Sequence, residues 1–508
     1  MRRAVIVIHR YLGIPLSLVF VVWFVSGIVM MYTRDMPRLT PEARLQRLEP
    51  LDLERVRVGA ADAAQRAGAA TSSVTLLSVM GRPAYRFDGD FFGAVTVFAD
   101  DGAVLESLDA EAARGVASRF TGAPGSAIEH AGLVTEPDQW TITQAGRLPL
   151  HKLRVRDAAA TEVYVSPQLA EVTLVTTRAS RALAWIGAIP HWFYFTPLRV
   201  NQPAWYWTVV WVSAAGCVLA LLGLVLAFTQ FRRTQPFKLS ASIPYRGWMR
   251  WHYISGAVFG VFALTWVFSG MMSVEPFAWT RAAGLDVPRD ALAGGGLELE
   301  RFPALDAAAW RLLLDGRELK ELELVRVQGD PYYAARGAGT NGELLVAADS
   351  MKPREAPFTT PALLARLQQA VPDAAIAEHA FLESYDAYYY ARDGAAPLPV
   401  LRVKFDDPAQ TWVYVDPHRG ELVALTHRSS RLERWLFNGL HSLDFAFWYD
   451  KRPLWDIGMI LLSLGALATS GIGIYLGCRR LQRDFSRLTR RPARPAHGGE
   501  SGAERTEP

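Results

Sequence analysis

Four of the ten histidines occupy recurring positions in two parts of the sequence, and their side chains are the ones best placed to do chemistry. His9 and His252 are 243 residues apart, each at the start of a long apolar run. His191 and His441 are 250 residues apart, each shortly before another apolar run. An ionisable side chain at a membrane helix is costly without a partner, so these positions predict a functional site. We expect the two imidazoles of a pair to share one ligand, with packing at the membrane surface as the alternative.

The other six histidines give weaker indications of function. Two of them recur beside a glutamate, in Glu-His-Ala at 129–131 and again at 378–380. For His130 and His379, a structural contact between imidazole and carboxylate is favoured over a metal site. The remaining four have no histidine at the matching position and are predicted to be surface or loop residues: His151, His418, His427 and His497.

Four apolar runs must position the recurring histidines, and each is long enough to cross the ~30 Å hydrocarbon core of a bilayer as a helix. They span residues 5–32, 205–230, 251–274 and 455–478, and the first transmembrane segment with its basic start is 1–32. Arginine-rich flanks precede the first run, fill the loop 231–250 and open the tail 479–508, which is predicted to be disordered. The positive-inside rule places these flanks in the cytoplasm. We therefore expect a multi-pass protein of the bacterial inner membrane with both termini cytoplasmic.

The sequence around the recurring histidines is itself repeated. The first run carries His9, Gly13, Trp23, Ser26 and Gly27, which recur in the third as His252, Gly256, Trp266, Ser269 and Gly270. The second and fourth runs repeat in the same way, from the segment 178–205 to the segment 428–455. The chain is therefore predicted to be a tandem duplication of helix, outer domain and helix, with its halves related by a pseudo-two-fold axis along the membrane normal.

The two long segments between the runs, 33–204 and 275–454, are expected to be periplasmic α+β domains. Alternating strands are predicted at 94–99, 162–165 and 412–415, and a helix at 361–371. The fold class predicted is thus an α-helical membrane protein with four transmembrane helices and two extracytoplasmic α+β domains.

Composition and motifs exclude several other classes of protein. Half of the 508 residues are hydrophobic and 20% are charged, which fits membrane helices combined with water-facing domains. The net charge of +4 is small, and the arginines cluster beside apolar runs, which argues against a nucleic-acid partner. With two cysteines there is no disulfide framework. The sequence contains no Walker A, zinc-protease or nucleophile-elbow motif, so hydrolysis is not indicated. It also contains no dinucleotide-binding motif, so any redox reaction would need an electron donor separate from this chain.

Several motifs resemble those of the PepSY-associated transmembrane family: the helix starts HRYLG and WHYISG, the strand–turn–strand VYVDPHRGEL, DAYYYAR at 386–392, and the four-span layout. Members of that family include iron-regulated membrane proteins and inner-membrane ferrisiderophore reductases. The resemblance covers residues 1 to about 480. It implies a di-haem membrane protein whose PepSY-type modules lie over the haem sites. The first half departs from the pattern with VYVSPQLAEV, and with Pro15 where the second half has Val258.

Haem would explain the recurring histidines, because four membrane-edge imidazoles in two symmetric pairs fit bis-imidazole axial coordination. His9 and His252 would form an inner site, and His191 and His441 an outer one. No CxxCH attachment motif is present, so two non-covalent b-type haems are expected. Four recurring arginines are predicted to pair with haem propionates or to anchor at lipid headgroups: Arg178, Arg181, Arg428 and Arg431.

Three classes of function follow. The first is an electron-transfer protein, an oxidoreductase that reduces a periplasmic acceptor with electrons from a cytoplasmic or membrane donor. Ferric siderophore or another iron chelate is the acceptor that the family resemblance implies. The second class is a transporter of iron complexes or peptides, and the third is a regulator that binds envelope proteins. The chelate would dock on basic and aromatic residues that could instead form an interfacial aromatic belt: Trp192, Tyr194, Phe195, Arg199, Trp448, Tyr449 and Lys451.

Overall fold

The structure is a computed structural model that describes residues 2–33, 35–68, 73–89, 93–278, 284–337, 343–391 and 396–489. Its helices, in chain order, are α1 (Arg2–Thr33), α2 (Pro41–Arg47), α3 (Ala60–Ala67), α4 (Ala110–Thr121), α5 (Arg178–Ile186), α6 (Ala188–Trp192), α7 (Thr196–Arg199), α8 (Gln202–Gln230), α9 (Leu239–Ser242), α10 (Gly247–Met272), α11 (Arg289–Ala293), α12 (Ala307–Leu314), α13 (Thr360–Ala370), α14 (Arg428–Arg434), α15 (Leu440–Ser442) and α16 (Leu454–Thr489).

Among the described residues, four helices are long and apolar enough to cross a membrane: α1, α8, α10 and α16. They cover the four spans that the sequence predicts. α1 continues through Pro15, and α10 begins at Gly247, before the predicted start at 251. α16 runs past the predicted end at 478 to Thr489, so the first part of the predicted disordered tail is helical. The rest of that tail, 490–508, lies outside the described residues.

The strands form three antiparallel sheets. In chain order they are β1 (Ser73–Val79), β2 (Arg82–Gly89), β3 (Gly93–Phe98), β4 (Ile128–Val134), β5 (Leu150–Val155), β6 (Glu162–Ser166), β7 (Glu171–Thr176), β8 (Glu321–Val327), β9 (Asp330–Arg336), β10 (Leu344–Ala347), β11 (Ala375–Leu382), β12 (Val400–Asp406), β13 (Trp412–Asp416) and β14 (Glu421–Thr426). The strands predicted at 94–99, 162–165 and 412–415 correspond to β3, β6 and β13, and the helix predicted at 361–371 to α13.

One sheet contains strands from both halves of the chain. Its order is β10-β9-β8-β1-β2-β3, and β1 pairs with β8 in a register that places Leu76 opposite Leu322. Both leucines are fully buried in a core that also contains Trp310 from α12. Burying these apolar side chains stabilises the sheet, since each contributes roughly 1.5–3 kcal/mol when removed from water. The two long segments between the membrane helices are therefore joined by backbone hydrogen bonds.

The other two sheets each have four strands from one half. Their orders are β4-β5-β6-β7 and β11-β12-β13-β14. In both, the register of the last two strands shifts at the same place, after Tyr164 in the first half and after Tyr414 in the second. α4 packs on the sheet β4-β5-β6-β7. Its N-cap residue is Asp109, whose carboxylate accepts a hydrogen bond from the Ala112 amide. These sheets lead directly into the segments that carry His191 and His441.

The chain divides into two compact units. One contains residues 1–24, 214–267 and the chain from 460 onward, and it holds His9 and His252. The other contains residues 25–213 and 268–459, with the three sheets and with His191 and His441. Each histidine pair thus lies within a single unit.

Candidate functional site

His9 on α1 and His252 on α10 face each other across a short gap. Their ring centroids are 6.4 Å apart, with an angle of 45° between the ring planes. A metal ion lies about 2.0–2.1 Å from an imidazole nitrogen, and the ring centroid about 1.1 Å farther, so two axial imidazoles on one ion have centroids about 6.2 Å apart. The observed separation matches that requirement.

The Nδ1 atoms of both rings are held by helix carbonyls. His9 Nδ1 donates to the carbonyl oxygen of Leu219 at 3.1 Å, and His252 Nδ1 donates to that of Thr469 at 3.1 Å. A carbonyl oxygen can only accept, so Nδ1 carries the proton and Nε2 keeps the lone pair that a metal would need. Metal-binding histidines generally have such a partner on the other nitrogen, which fixes the ring orientation.

A glycine follows each of these two carbonyls by one helical turn. In an α-helix the carbonyl of one residue points towards the residue four positions later. Gly223 follows Leu219 by four positions, and Gly473 follows Thr469 by four. A Cβ atom added at Gly223 would lie 2.9 Å from His9 Cε1, and one at Gly473 would lie 3.6 Å from His252 Cε1. Gly223 therefore allows the ring of His9 to approach α8, whereas a Cβ at Gly473 would only touch the ring of His252 at an ordinary van der Waals distance.

A cavity of about 550 Å³ adjoins the two rings. This volume is within the range of about 300–1,000 Å³ that is usual for ligand pockets. Its wall includes both histidines and small residues from all four membrane helices: Gly13, Gly223, Gly256 and Gly473. It also includes arginines from the ends of α1 and α16: Arg10, Arg479, Arg480 and Arg483. The cavity thus combines an apolar wall and a cationic region with two imidazoles.

His191 and His441 form the second pair. Their ring centroids are 6.0 Å apart, and the ring planes are nearly perpendicular, at 76°. Ser26 Oγ lies 3.0 Å from His191 Nδ1, and Ser269 Oγ lies 3.0 Å from His441 Nδ1. The sequence shows that both serines recur, but it gives them no role; the structure identifies them as the partners of the histidines.

The residue after each serine is a glycine, which leaves room for the neighbouring ring. A Cβ at Gly27 would be 3.5 Å from His191 Cε1, and one at Gly270 would be 3.7 Å from His441 Cε1. Both values are ordinary van der Waals distances. The serine thus brings a hydroxyl to Nδ1, and a methyl group at the following glycine would touch the ring without displacing it.

In the first half, a broken helical segment carries His191. α5 starts with a capping box, in which Thr177 and Ser180 satisfy each other's backbone amides. Gly187 separates α5 from α6, and a Cβ there would approach Val29 of α1 to 3.1 Å. The indole of Trp205 at the start of α8 donates to the Trp192 carbonyl at 2.8 Å. These contacts fold the segment back and fix the position of His191.

In the second half, a π-helical turn precedes His441. The turn spans Trp435–Gly439 and leads into α15, which carries His441. Trp455 donates to the Ser442 carbonyl at 2.9 Å, the counterpart of the contact made by Trp205. Single π-helical turns are rare and occur often at functional sites. The two halves therefore present equivalent histidines on different backbone geometries.

Sequence reasoning missed a buried ion pair beside His441. Arg434 Nη2 lies 3.2 Å from Asp444 Oδ1, and Arg434 also donates to the carbonyl oxygens of Asp444 and Ala387, both at 2.8 Å. Tyr390 donates to the same carboxylate at 2.7 Å. The first half has Ala184 where the second has Arg434, so a search limited to recurring residues discards this pair.

The four arginines predicted to contact propionates or headgroups are placed at the start of α5 and α14. Arg178 and Arg428 are exposed. Arg181 donates to Thr176 Oγ1 at 2.7 Å and to the Ala160 carbonyl at 2.9 Å. Arg431 donates to Thr426 at 3.3 Å and stacks on the ring of Trp412 at 4.1 Å. Arg181 and Arg431 therefore tie these helices to the strands before them, and their role towards propionates stays a prediction.

Two predictions for the remaining histidines are wrong. His151 is buried on β5 rather than at the surface. Its Nε2 donates to the Leu108 carbonyl at 2.9 Å, so its Nδ1 accepts from His130 Nε2 at 2.9 Å. The partner of His130 is thus an imidazole and not the predicted carboxylate. Burial, followed by the nearby charges of His151 and Arg114, lowers the pKa of His130.

The second half has no equivalent imidazole pair, because Leu401 occupies the position that matches His151. Glu378, next to His379, pairs instead with Lys404 at 2.9 Å. His427 caps α14 and its Nδ1 lies 3.0 Å from Thr411 Oγ1, whereas His418 is exposed as predicted. His497 lies outside the described residues.

The aromatic residues proposed to dock a chelate are partly used in packing. Arg199 stacks on the rings of Tyr194 and Trp205, at 4.8 and 4.6 Å. Phe195 and Lys451 remain exposed, at 40% and 58%, and Lys451 lies 3.4 Å from Asp450. The surface available to a ligand is therefore smaller than the sequence alone indicates.

Metal ligation elsewhere has little support. Among the residues that the structure describes, no group of three or more His, Cys, Asp or Glu side chains is placed to hold a metal ion. Two imidazoles are too few for a tetrahedral structural site. They are the number that a metal held in a planar macrocycle takes from the protein as axial ligands.

A protein-family model, the PepSY-associated TM region, matches residues 6–318, which is more than half of the chain. The chain belongs to the PepSY-associated transmembrane family. The match includes His9, His191 and His252, whereas His441 lies beyond it. The pairing of His441 with His191 therefore rests on the structure. Together with the four apolar helices, family membership identifies a multi-pass membrane protein. No curated protein matches the chain.

Proposed function

We propose that the protein is a di-haem electron-transfer protein that passes electrons across the bacterial inner membrane to a periplasmic acceptor. The observation that carries this proposal is the spacing of the two histidine pairs, with ring centroids 6.4 and 6.0 Å apart. Both values suit two imidazoles on opposite faces of one iron. Haem b would supply an iron that changes between the ferric and ferrous states by one electron.

The residues of this chain would bind and tune each haem. With Nδ1 of His9 and His252 engaged by helix carbonyls, Nε2 is the nitrogen that would ligate iron. At the other pair, Ser26 and Ser269 would hold the rings of His191 and His441 in their orientation. Partners on Nδ1 raise the basicity of the ligand and thereby influence the reduction potential. The apolar wall of the 550 Å³ cavity would exclude water from the His9/His252 site.

The direction of transfer follows from the proposed topology. We place the arginine-rich loop 231–250 and both termini in the cytoplasm, because basic flanks favour that side. His9 and His252 would then form the site near the cytoplasmic donor, and His191 with His441 the site near the periplasm. We interpret the chain as a tandem duplication in which each half supplies one ligand to each haem. The sheets of the two long segments would be the PepSY-type domains.

Ferric siderophore or another iron chelate is the acceptor that we propose. Such chelates hold Fe(III) through hard oxygen ligands, and one-electron reduction weakens that binding because Fe(II) is softer and less charged. Exposed Phe195 and Lys451 would contribute to docking near the periplasmic site.

The experiment is to purify the full chain from haem-replete cells in detergent and to record its visible spectrum and haem content. We expect two haems per chain with low-spin bis-imidazole bands. Dithionite-reduced protein, freed of excess reductant, should then be reoxidised anaerobically by ferric siderophore, with Fe(II) captured by a trapping chelator. A folded, colourless protein would overturn the electron-transfer function. Reoxidation by another periplasmic acceptor but by no iron chelate would overturn only the choice of acceptor.

A further inference from the structure

We propose that the cavity at His9 and His252 binds its ligand in one orientation only, with the ligand's carboxylates against Arg10, Arg480 and Arg483. The inference rests on the proposed function, in which the ligand is haem and the carboxylates are its two propionates. The histidines alone do not set this orientation, because the two imidazoles are related by the repeat and would accept a macrocycle turned either way. The arrangement of charge around the cavity breaks that equivalence.

The cationic side of the cavity is built by α1 and α16. On α16, residues of the cavity wall follow one another at helical spacing, from Thr469 through Gly473 to Arg480 and Arg483. Side chains three or four positions apart share one face of a helix, so the arginines continue the face that contacts His252. Arg10 follows His9 directly on α1 and also lines the cavity.

Among the described residues that line the cavity, the arginines come from α1 and α16, and none comes from α8 or α10. The counterpart of Arg480 in the repeat is Gln230, which accepts a hydrogen bond from Arg2. The counterpart of Arg10 is Tyr253, whose hydroxyl donates to the Ala227 carbonyl. Arg233 matches Arg483 in sequence, but α8 ends at Gln230, so Arg233 lies beyond the helix and is exposed. Because α16 continues farther than α8, it brings Arg480 and Arg483 to this cavity.

Two of the cavity arginines, Arg10 and Arg483, can bind the carboxylates of a ligand without first breaking an ion pair. Within the described part of the chain, neither Arg10 nor Arg483 forms an ion pair with an acidic residue. Arg480 lies 2.9 Å from Asp484, and that carboxylate also accepts from Tyr11 at 3.1 Å. Guanidinium groups bind carboxylates through strong charge-assisted hydrogen bonds. An amphipathic dianion with an apolar ring would place its ring along the glycine-lined wall and its carboxylates towards these cations.

The test measures the release of haem to apomyoglobin, an acceptor that reports how tightly the site holds its ligand. The protein carries His191→Ala and His441→Ala, so that haem remains at His9 and His252. In this background Arg10→Ala with Arg483→Ala should release haem at least about tenfold faster, because two charge-assisted contacts are lost. Arg233→Ala is the matched control and should leave the rate unchanged. Lysine at both positions should restore much of the retention.

Iron protoporphyrin dimethyl ester provides the decisive comparison, because it has the same ring and iron but no carboxylates. It should leave the arginine-containing protein and the double alanine variant at similar rates. If the variant released the ester faster to the same degree as haem, a general loosening of the helices would explain the effect and the inference would be overturned. Equal haem retention in the double variant and in Arg233→Ala would also overturn it. Protein that contains no haem at all would refute the proposed function instead.

Discussion

The two histidine pairs reach similar ring spacings by different structural means. His9 and His252 lie on continuous membrane helices, and their Nδ1 atoms are held by backbone carbonyls of α8 and α16. His191 and His441 lie on broken segments outside the long helices, and serine hydroxyls hold them. The planes of the first pair meet at 45° and those of the second at 76°.

This difference indicates how histidine pairs with similar ring spacing can be held by unequal means. Backbone carbonyls are fixed by the helix and cannot be changed by substitution at their own position. A serine hydroxyl can rotate, and its loss leaves the helix intact. We therefore expect the His9/His252 site to be set by helix packing, and the His191/His441 site to depend on individual side chains. The following predictions test that distinction, beginning with the largest effect.

The largest effect should come from removing a whole pair of ligands. His9→Ala with His252→Ala should eliminate one haem, and His191→Ala with His441→Ala should eliminate the other. Each double variant should retain about one haem per chain, because the ligands of the other site are untouched. Haem content by the pyridine haemochrome method provides the measurement.

His418→Ala is the control for this experiment, since His418 is exposed in the turn between β13 and β14. Single variants sharpen the test of pairing. If His9→Ala removed the same haem as His191→Ala, the pairing read from the ring distances would be wrong.

The second prediction concerns the ion pair that supports His441 and has no counterpart beside His191. Asp444→Ala leaves Arg434 as an unpaired buried cation, and such a change costs about 3–5 kcal/mol in stability. We expect a lower melting temperature and preferential loss of haem from the His191/His441 site. Asp450→Ala is the control, because Asp450 is exposed. Equal haem loss from both sites would show that the ion pair supports the whole protein rather than this segment.

Sequence reasoning succeeds where a feature depends on local pattern or on recurrence. The four membrane helices follow from apolar length, and β6 and β13 from alternation and turn residues. The four histidines of the two pairs recur in the sequence, and so do Ser26 and Ser269. Recurrence could not assign the serines a role, because Ser26 and His191 are 165 residues apart and no local pattern joins them.

Other features could not be predicted, for physical reasons. The pairing of β1 with β8 depends on contacts between distant parts of the chain. The carbonyl of Leu219 is a backbone atom, and its use as a partner depends on the missing side chain of Gly223. Arg434 and Asp444 have no counterparts in the first half, so recurrence cannot identify them. Recurrence therefore identifies residues that the two halves share, but it identifies neither their contacts nor the residues in which the halves differ.

The third prediction tests the carbonyl–glycine arrangement of the His9/His252 site. In Gly223→Ala the new Cβ would lie 2.9 Å from His9 Cε1, so the ring must move away from the Leu219 carbonyl. Overpacking of this kind costs about 1–3 kcal/mol. We expect part of the haem at this site to lose its bis-imidazole, low-spin spectrum. Gly471→Ala is the control, since Gly471 on α16 does not line the cavity and a Cβ there meets no atom within 4 Å. Identical spectra for the two variants would contradict the role assigned to Gly223.

The smallest effect should come from the serine hydroxyls, which only the His191/His441 site uses. With iron on Nε2, Nδ1 carries the proton and donates to the serine oxygen, which makes the imidazole a more basic ligand and favours ferric iron. Ser26→Ala removes this acceptor without changing the helix. A typical hydrogen bond contributes about 1 kcal/mol, so we expect the midpoint potential of this haem to rise by some tens of millivolts, given about 59 mV for a tenfold change in a one-electron couple. Ser273→Ala is the control, because its hydroxyl bonds to the Gly270 carbonyl on α10 rather than to a histidine. A spectroelectrochemical titration resolves the two haems. An unchanged potential, or an equal shift of both haems, would show that the hydroxyls do not tune this site, and the contrast between the two pairs would then be limited to their backbone geometry.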